Sequence, residues 1–248
     1  EQSEQPFFPR ARGFCRTADI MTPSIKLTYF DIEGAAECVR LALTLAGAEF
    51  EDKRIDFSEW ATFKSTTPYG QVPVMNIDGG PDRTQSGAML RWAATLNSDK
   101  ALYPMDKIYD VEEALGIVGD IQRSWSPCLY IAMKPQTFGY PEGFSKTDEG
   151  KEKVSEMRKK WITDELPALL GYISDMIDKN GGKFLVGGSP TIADCALIPI
   201  LRSFTRGHVD HVDASCLECN PAVVAYVKRF CDLPEIKGRY KDGLGKSE

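Results

Sequence analysis

The sequence predicts an α/β domain over residues 25–97 and an all-helical domain over residues 106–248. In the first region the hydrophobic pattern changes type about every 8–15 residues, which is typical of alternating strands and helices. After a polar linker no strand pattern returns, and apolar residues recur at helical spacing. The length of 248 residues accommodates two domains of this size.

The N-terminal region opens with a strand, because Ile25–Phe30 alternates between apolar and polar residues. The next helix ends at Gly47, a residue suited to the left-handed position after a helix. The turn over residues 78–81 predicts a hairpin to a short strand near Arg83, and hence a mixed sheet. The predicted order is β-α-β-α-β-β-α, with strands over 25–30, 50–57, 72–77 and near Arg83, and helices over 34–46, 58–65 (capped by Ser58) and 86–96, the last with Ala88, Met89, Trp92, Ala93 and Leu96 inward.

Four helices are predicted in the C-terminal region. They cover residues 110–133, 151–179 with a bend near Pro167, 191–206 and 221–233. Thr191 and Asp194 have the spacing of a capping box, so Asp194→Ala is expected to cost about 1 kcal/mol of stability. The aromatic loop over residues 134–147 is expected on the surface; covering a pocket is the alternative.

Composition excludes several classes of protein. Hydrophobic residues make up 42% of the chain, enough for a core, which excludes disorder along the whole length. Thirty basic and 36 acidic residues give a formal net charge of −6, which argues against nucleic-acid partners and anionic membranes. No apolar run approaches the roughly 18 residues of a membrane span.

The cysteines bear on the cellular compartment. Seven cysteines spread over the chain do not resemble a secreted disulfide framework, so a reducing, cytoplasmic location is expected. Residues 1–24 show no periodic pattern and are expected to be a disordered extension, with a targeting leader as the alternative.

The peptide Gly70-Gln71-Val72-Pro73-Val74 carries the first chemical signal. A proline near the start of a strand cannot donate to the ladder. A cis Val72–Pro73 bond would resolve this conflict and leave the Val72 peptide groups free for another backbone. A trans proline in an edge strand is the alternative reading of the same residues.

Two further positions complete the set of candidate residues. Ser86 suits a helix N-cap, yet the same helix start, with the Gln85 amide beside it, could hold a carboxylate. Tyr29 lies near the end of the first strand, where its protonated hydroxyl could donate to a developing anion; a core tyrosine is the alternative. All three positions fall where ligands collect in α/β folds.

Together these motifs resemble the glutathione S-transferases of the tyrosine type, most closely the sigma class. The matching segments are Lys26–Phe30, Gly34–Glu37 with Arg40, Glu51–Ile55, Trp60, Lys64-Ser65, Pro68–Pro73, Gln85–Trp92, Phe184–Ser189 and Thr191–Asp194. The resemblance spans about residues 25–240 and implies a thioredoxin-like N-terminal domain followed by an all-α domain. It implies a transferase that conjugates the thiolate of glutathione to hydrophobic electrophiles, with glutathione as co-substrate and neither cofactor nor metal.

The resemblance also implies roles for individual residues. Tyr29 would be catalytic, hydrogen-bonding the glutathione sulfur. The glutathione-binding residues would be Val72 before a cis Pro73 for the cysteinyl backbone, Gln85 and Ser86 for the γ-glutamyl end, and Trp60, Lys64 and Gln71 for the glycyl end. Glu112 from a neighbouring subunit would reach the γ-glutamyl group, although the family has Asp there. Ala35 departs from the Arg found in many relatives.

A homodimer is expected, with Tyr69 where many relatives place an aromatic key. A glutathione-dependent isomerase of the prostaglandin D synthase kind and a catalytically silent binding protein stay open as alternatives. The electrophile pocket would be lined by Ile32, Ile121, Trp125, Leu129 and Tyr130.

The cysteines outside this site are expected to be packing residues, with Cys38 and Cys195 buried within helices. Cys216 and Cys219, with His208 and His211 upstream, could form a zinc site, but a loop with incidental thiols is the favoured reading.

Overall fold

The computed structural model describes residues 22–240, so most of the predicted N-terminal extension and the last eight residues lie outside it. It has a small three-stranded sheet followed by a mostly helical region. This agrees with the expected α/β domain followed by an all-α domain. Within residues 22–240 no helix is both long and apolar enough to cross a membrane.

The sheet is mixed, as predicted, and its order is β2-β1-β3. Strand β1 (Ile25–Phe30) pairs in parallel with β2 (Glu51–Ile55) and antiparallel with β3 (Val74–Ile77). The predicted fourth strand is wrong: Arg83 makes only an isolated bridge to Met75, with N···O distances of 2.9 and 2.8 Å. Pro81 has no N–H to donate, and a helix begins at Ser86, so the segment is too short for a strand.

Three α-helices belong to the first region: α1 (Glu37–Leu45), α2 (Trp60–Phe63) and α3 (Ser86–Ala94). The predicted cap at Ser58 is wrong. Asp56 caps the short 3₁₀ turn before α2, since its carboxylate accepts the Ser58 N–H at 2.7 Å and Glu59 accepts the Asp56 N–H at 2.8 Å. A carboxylate two residues before the predicted position completes the capping box that Ser58 cannot.

The inward face of α3 differs from the prediction at three positions. Met89 and Ala93 are buried as expected, but Ala88 is exposed, and Leu90 and Ala94 are buried instead. The helix therefore turns Ala88 toward an open groove on the protein surface.

Up to residue 240 the helical region contains five α-helices: α4 (Ile108–Met133), α5 (Asp148–Asp164), α6 (Leu166–Lys179), α7 (Ile192–Thr205) and α8 (Pro221–Cys231). The single helix predicted over 151–179 is wrong, because it divides into α5 and α6 at Glu165. Pro167 lies in the first turn of α6, where its missing N–H would have no intrahelical partner anyway. The predicted surface position is also wrong for Phe144, which is buried beside α5 and stacks on Tyr140.

Helix α7 is the centre of the molecule, since it packs on both α1 and α4. Its start is the predicted capping box, and Asp194 there is 0% exposed. The Asp194 carboxylate accepts four hydrogen bonds: from the Leu185 N–H (3.0 Å), the Thr191 N–H (2.7 Å), the Thr191 hydroxyl (3.0 Å) and the Tyr226 hydroxyl (2.9 Å). Asp194 thus joins three segments, so we expect its loss to cost more than the ~1 kcal/mol predicted from a capping box alone.

Candidate active site

Tyr29 lies near the end of β1, and its side chain is almost fully buried at 8% exposure. Its hydroxyl oxygen accepts the backbone N–H of Ala35 at 3.1 Å. The loop approaches closely because Gly34 has a φ of +44° and no side chain: a Cβ there would lie 2.6 Å from the hydroxyl oxygen. The bond to Ala35 and the requirement for Gly34 were not predicted from the sequence.

The Tyr29 hydroxyl is a neutral hydrogen-bond donor. Burial raises its pKa above the ordinary value of 10.0, although the bond from Ala35 and the charge of Arg40 act to lower that pKa. A phenol oxygen can accept one bond and still donate its own proton. Among residues 22–240 that proton has no acceptor, so Tyr29 can donate it to a ligand atom.

A buried cation lies beneath this tyrosine. The Arg40 guanidinium is inaccessible to solvent and lies 5.8 Å from the centroid of the Tyr29 ring. Its Nη1 donates to the Ile32 carbonyl at 2.8 Å, and its Nε donates to Asp52 at 2.9 Å. Arg40 thereby anchors the β1–α1 loop that carries Ala35, and it places a positive charge near the phenol. The sequence analysis did not assign this role to Arg40; its position as a charged residue among the apolar residues of α1 is the signal that could have indicated it.

The Val72–Pro73 peptide bond is cis, as the sequence hypothesis required. The strand is an edge strand, as the alternative held, but it begins only at Val74. Neither peptide group of Val72 joins a backbone hydrogen bond within the described part of the chain. Because Val72 is only half-buried, both groups are available to another backbone.

The start of α3 is not capped as predicted. Ser86 is the first residue of the helix, and Gln85 occupies the N-cap position without a capping hydrogen bond from its side chain. Gln85 has φ 72° and ψ 99°, a conformation that side chains rarely adopt and that costs about 1–3 kcal/mol. The first N–H groups of a helix have no intrahelical acceptor, so this start can bind an anion.

The structure places Lys64 against Gly70, the residue before Gln71, and packs Trp60 on Phe30. The Lys64 side chain folds over Gly70, with its Cε 3.3 Å from where a Cβ of Gly70 would stand. Trp60 begins α2 and meets the Phe30 ring edge-on, with centroids 5.5 Å apart. The Lys64 side chain therefore reaches the segment just before Val72, and Gln71 within that segment is exposed.

Glu112 has partners within its own chain that were not predicted. Its carboxylate accepts two bonds from Arg91, at 2.8 and 2.6 Å, and one from the Tyr103 hydroxyl at 2.6 Å. The bond from Arg91 holds the pKa of Glu112 below its ordinary value. Glu112 and Arg91 are both 40% exposed, and contact of Glu112 with a second subunit stays a prediction.

The predicted electrophile pocket is corrected at two positions. Ile121 and Trp125 are buried in the core, where Trp125 packs against Trp161. Ile32 and Tyr130 are 42% and 40% exposed, and Tyr130 lies close enough to act on the pKa of Tyr29. A pocket beside Tyr29 would therefore use Ile32 and Tyr130.

The zinc alternative finds no support in the geometry. Within residues 22–240 no three His, Cys, Asp or Glu side chains are placed to hold a metal ion. His208, His211, Cys216 and Cys219 therefore do not form the required tetrahedral set. Cys195 is buried as predicted, but Cys38 is only half-buried and donates its thiol to the Ala35 carbonyl.

Comparison with known proteins identifies the family of the chain. Residues 25–95 match the glutathione S-transferase N-terminal domain, and residues 140–241 match the glutathione S-transferase C-terminal domain. The chain belongs to the glutathione S-transferase family, and it is an enzyme of that transferase type.

Three similar proteins illustrate the range of the family. "Probable glutathione S-transferase 8" of Caenorhabditis elegans is 52% identical over 215 residues, which cover 86% of this chain and 93% of the relative. "Glutathione S-transferase class-mu 28 kDa isozyme" of Schistosoma mansoni is 31% identical over 185 residues, covering 73% and 79%. The solved structure of prostaglandin synthase D of Nilaparvata lugens is 26% identical, covers 88% of this chain and 98% of that chain, and has a TM-score of 0.70.

Proposed function

We propose that this enzyme conjugates the thiolate of reduced glutathione to electrophilic small molecules and that Tyr29 activates the thiol. The main support for this proposal is the hydrogen bonding of the Tyr29 hydroxyl, which accepts the Ala35 N–H and can still donate its own proton to a ligand. Its raised pKa keeps that proton in place at neutral pH. A neutral donor in a buried position stabilises the thiolate without itself becoming charged.

The energies are sufficient for this role. An ordinary thiol has a pKa of about 8.5, and lowering it by two units requires about 2.7 kcal/mol of preference for the anion. A hydrogen bond to a charged acceptor contributes about 1.5–3 kcal/mol. Arg40 lies 5.8 Å from the Tyr29 ring centroid and acts to lower the pKa of Tyr29, while its guanidinium is itself paired with Glu37 and Asp52.

Glutathione would lie across the ends of β1, β3 and α3. The Val72 peptide groups would pair with the cysteinyl backbone, beside the cis Pro73. Gln85 and the open start of α3 would receive the γ-glutamyl carboxylate, with Ser86 adding its hydroxyl.

The other end of the tripeptide would meet a different group of residues. Trp60, Lys64 and Gln71 would hold the glycyl end, where the ammonium of Lys64 suits its carboxylate. Glu112 of a partner subunit would complete the γ-glutamyl site. In this scheme glutathione is a co-substrate, and no metal or further cofactor takes part.

The class of the enzyme, its location and its oligomeric state are part of the same proposal. We further propose a tyrosine-type enzyme of sigma-class character on the basis of the sequence motifs, a cytoplasmic location on the basis of the cysteine content, and a homodimer because the family resemblance implies one. Tyr69 is 71% exposed beside a groove lined by Met75, Ala88 and Trp92, a surface suited to a second copy of the chain.

An isomerase acting with glutathione is the second candidate, and one observation favours it. The solved neighbour named prostaglandin synthase D aligns over 88% of this chain. Such an enzyme would keep the Tyr29 site and differ around Ile32 and Tyr130, where the second substrate would lie.

Substitution of Tyr29 tests the proposal directly. Tyr29→Phe is expected to lower kcat for conjugation of an aromatic halide roughly 10- to 100-fold, because one hydrogen bond to the thiolate is lost. Retention on a glutathione-affinity resin should be unchanged, since the binding groups remain. Tyr172→Phe, on the exposed face of α6, is the matched control.

The outcomes separate the candidate functions. An unchanged kcat in Tyr29→Phe would remove Tyr29 from the mechanism. Capture on the resin without turnover of any halide would favour the isomerase or a silent binding protein, which an assay with a prostaglandin endoperoxide then distinguishes.

A further inference from the structure

Two cysteines outside the glutathione site lie in one tight turn before α8. Three overlapping turns run through it, each closed by a backbone hydrogen bond. The N–H of Cys216 donates to the Asp213 carbonyl (3.0 Å), that of Glu218 to the Ser215 carbonyl (2.8 Å) and that of Asn220 to the Leu217 carbonyl (3.0 Å). In such turns, residues three apart have Cα atoms within about 7 Å. A disulfide requires a Cα separation of about 4.4–6.8 Å. These turns keep residues 213–220 folded rather than extended, a backbone that can bring Cys216 and Cys219 to this separation.

The sulfur positions agree with this spacing. The Cys219 thiol donates to the carbonyl oxygen of Cys216 at 3.3 Å, so its sulfur lies over the residue that carries the other thiol. Cys219 is exposed and Cys216 is half-buried. No other two cysteines in the sequence are three residues apart.

The turn is held firmly at both ends of the pair. Leu217, between the cysteines, is buried in the core. Asn220 caps α8 by accepting the Val223 N–H at 3.2 Å, and its amide donates to the Leu170 carbonyl at 3.1 Å. A rigid turn keeps the two thiols at a high effective concentration relative to each other.

We propose that Cys216 and Cys219 are a redox-active dithiol that forms an intramolecular disulfide by exchange with a small-molecule disulfide. In the first step the Cys219 thiolate attacks one sulfur of the small disulfide, forming a mixed disulfide and releasing one small thiol. In the second step the Cys216 thiolate attacks the Cys219 sulfur and releases the other small thiol. Two protein thiols are oxidised and one small disulfide is reduced to two thiols, with the two protons carried by those thiols.

The order of the two steps follows from the surroundings of each sulfur. Cys219 is open to solvent and can meet a disulfide directly. Burial, with Asp213 and Cys219 nearby, raises the pKa of Cys216 to about 12, so little of it is thiolate at neutral pH. Cys216 therefore acts second, where proximity compensates for its small thiolate fraction.

Hydroxyethyl disulfide tests the proposal without requiring the glutathione site, because it is not a tripeptide. The full chain is incubated with it, the remaining thiols are alkylated, and the peptide carrying both cysteines is examined by mass spectrometry. In the wild-type protein this peptide should lose both alkylatable thiols and retain no mercaptoethanol. In Cys216→Ser the mercaptoethanol adduct should stay on Cys219, at a level on the order of tenfold above wild type.

Two other results would contradict the proposal that Cys216 and Cys219 act as a redox-active dithiol. An adduct that persists on wild-type Cys219 as it does in Cys216→Ser would show that the second thiol does not resolve it. A crosslink to a second chain would assign the exposed thiol to intermolecular pairing. The Cys38 peptide in the same digest reports any general oxidation, and conjugation activity measured in parallel keeps this result separate from the proposed function.

Discussion

Two helix starts in this enzyme are built in opposite ways. At the start of α7 the Asp194 carboxylate accepts four hydrogen bonds, and the residue is fully buried. At the start of α3 Gln85 makes no capping bond and holds a strained backbone conformation. The first start is complete within the chain and stabilises it. The second leaves its donors open at a cost in stability, which is the arrangement expected of a binding site.

The closed start should give the largest effect. Asp194→Ala leaves buried donors on Leu185, Thr191 and Tyr226 without an acceptor, at roughly 1–3 kcal/mol each. We expect the free energy of unfolding to fall by about 3 kcal/mol or more in denaturant titration. Glutathione affinity of the folded fraction should be unchanged. Asp175→Ala, on the exposed face of α6, is the control; a similar loss in both variants would contradict the special role of Asp194.

At the open start of α3 we expect substrate affinity to fall and stability to stay unchanged, the reverse of the result expected at α7. Ser86→Ala is expected to raise KM for glutathione about 5- to 10-fold, with kcat unchanged, because a hydroxyl donor to the substrate is lost. The free energy of unfolding should stay within about 0.5 kcal/mol of wild type, since Ser86 is not the cap. Ser98→Ala controls for loss of an exposed serine. A loss near 1 kcal/mol with KM unchanged would instead make Ser86 a structural residue.

The strain at Gln85 can be relieved separately. Gln85→Gly removes a conformational cost of about 1–3 kcal/mol but adds about 0.5–1 kcal/mol of unfolded-state entropy. A net gain in stability between about 0 and 2.5 kcal/mol is expected, together with weaker glutathione binding in calorimetry. Gln85→Asn keeps the amide and tolerates the positive φ, so it should bind better than the glycine variant. A destabilised glycine variant would argue against strain.

The smallest effect on stability is expected at the Arg91–Glu112 pair, which joins α3 to α4. This pair lowers the pKa of Glu112, so it stabilises the fold above the ordinary carboxyl pKa, and the contribution disappears as the pH falls through the lowered pKa. Because both side chains are 40% exposed, solvent screening keeps the contribution below about 1 kcal/mol. Glu112→Gln and the neighbouring Glu113→Gln, compared by thermal unfolding at pH 7 and in acid, test this; a difference that grows in acid would contradict it.

The candidate site was predictable where its residues carry local signals. Tyr29 at a strand end, proline in the Gly70–Val74 peptide and Gln85-Ser86 at a helix start are all visible in the sequence. The bond from Ala35 to Tyr29 and the position of Arg40 beneath the ring were not, because they depend on how the β1–α1 loop folds back on its own strand.

The fold errors have the same origin. The sequence around Glu165 continues a helical pattern, and only the structure shows that it divides α5 from α6. Likewise, the family resemblance placed Ile121 and Trp125 on the pocket face of α4, whereas both are buried, and Trp125 packs against Phe204 of α7, 79 residues later. Which apolar face of a long helix lines a pocket depends on the elements that pack against the other faces.

The lack of room for a side chain at Gly34 determines which parts of the site can change by substitution. On the tyrosine wall any side chain at residue 34 would collide with the phenol and oppose a φ of +44°. By contrast, Ile32 and Tyr130 are 42% and 40% exposed, so their side chains can change in size with little effect on the packing. If these two residues line the second pocket as proposed, a change of substrate is expected to come through residues 32 and 130, while the position of the phenol stays fixed.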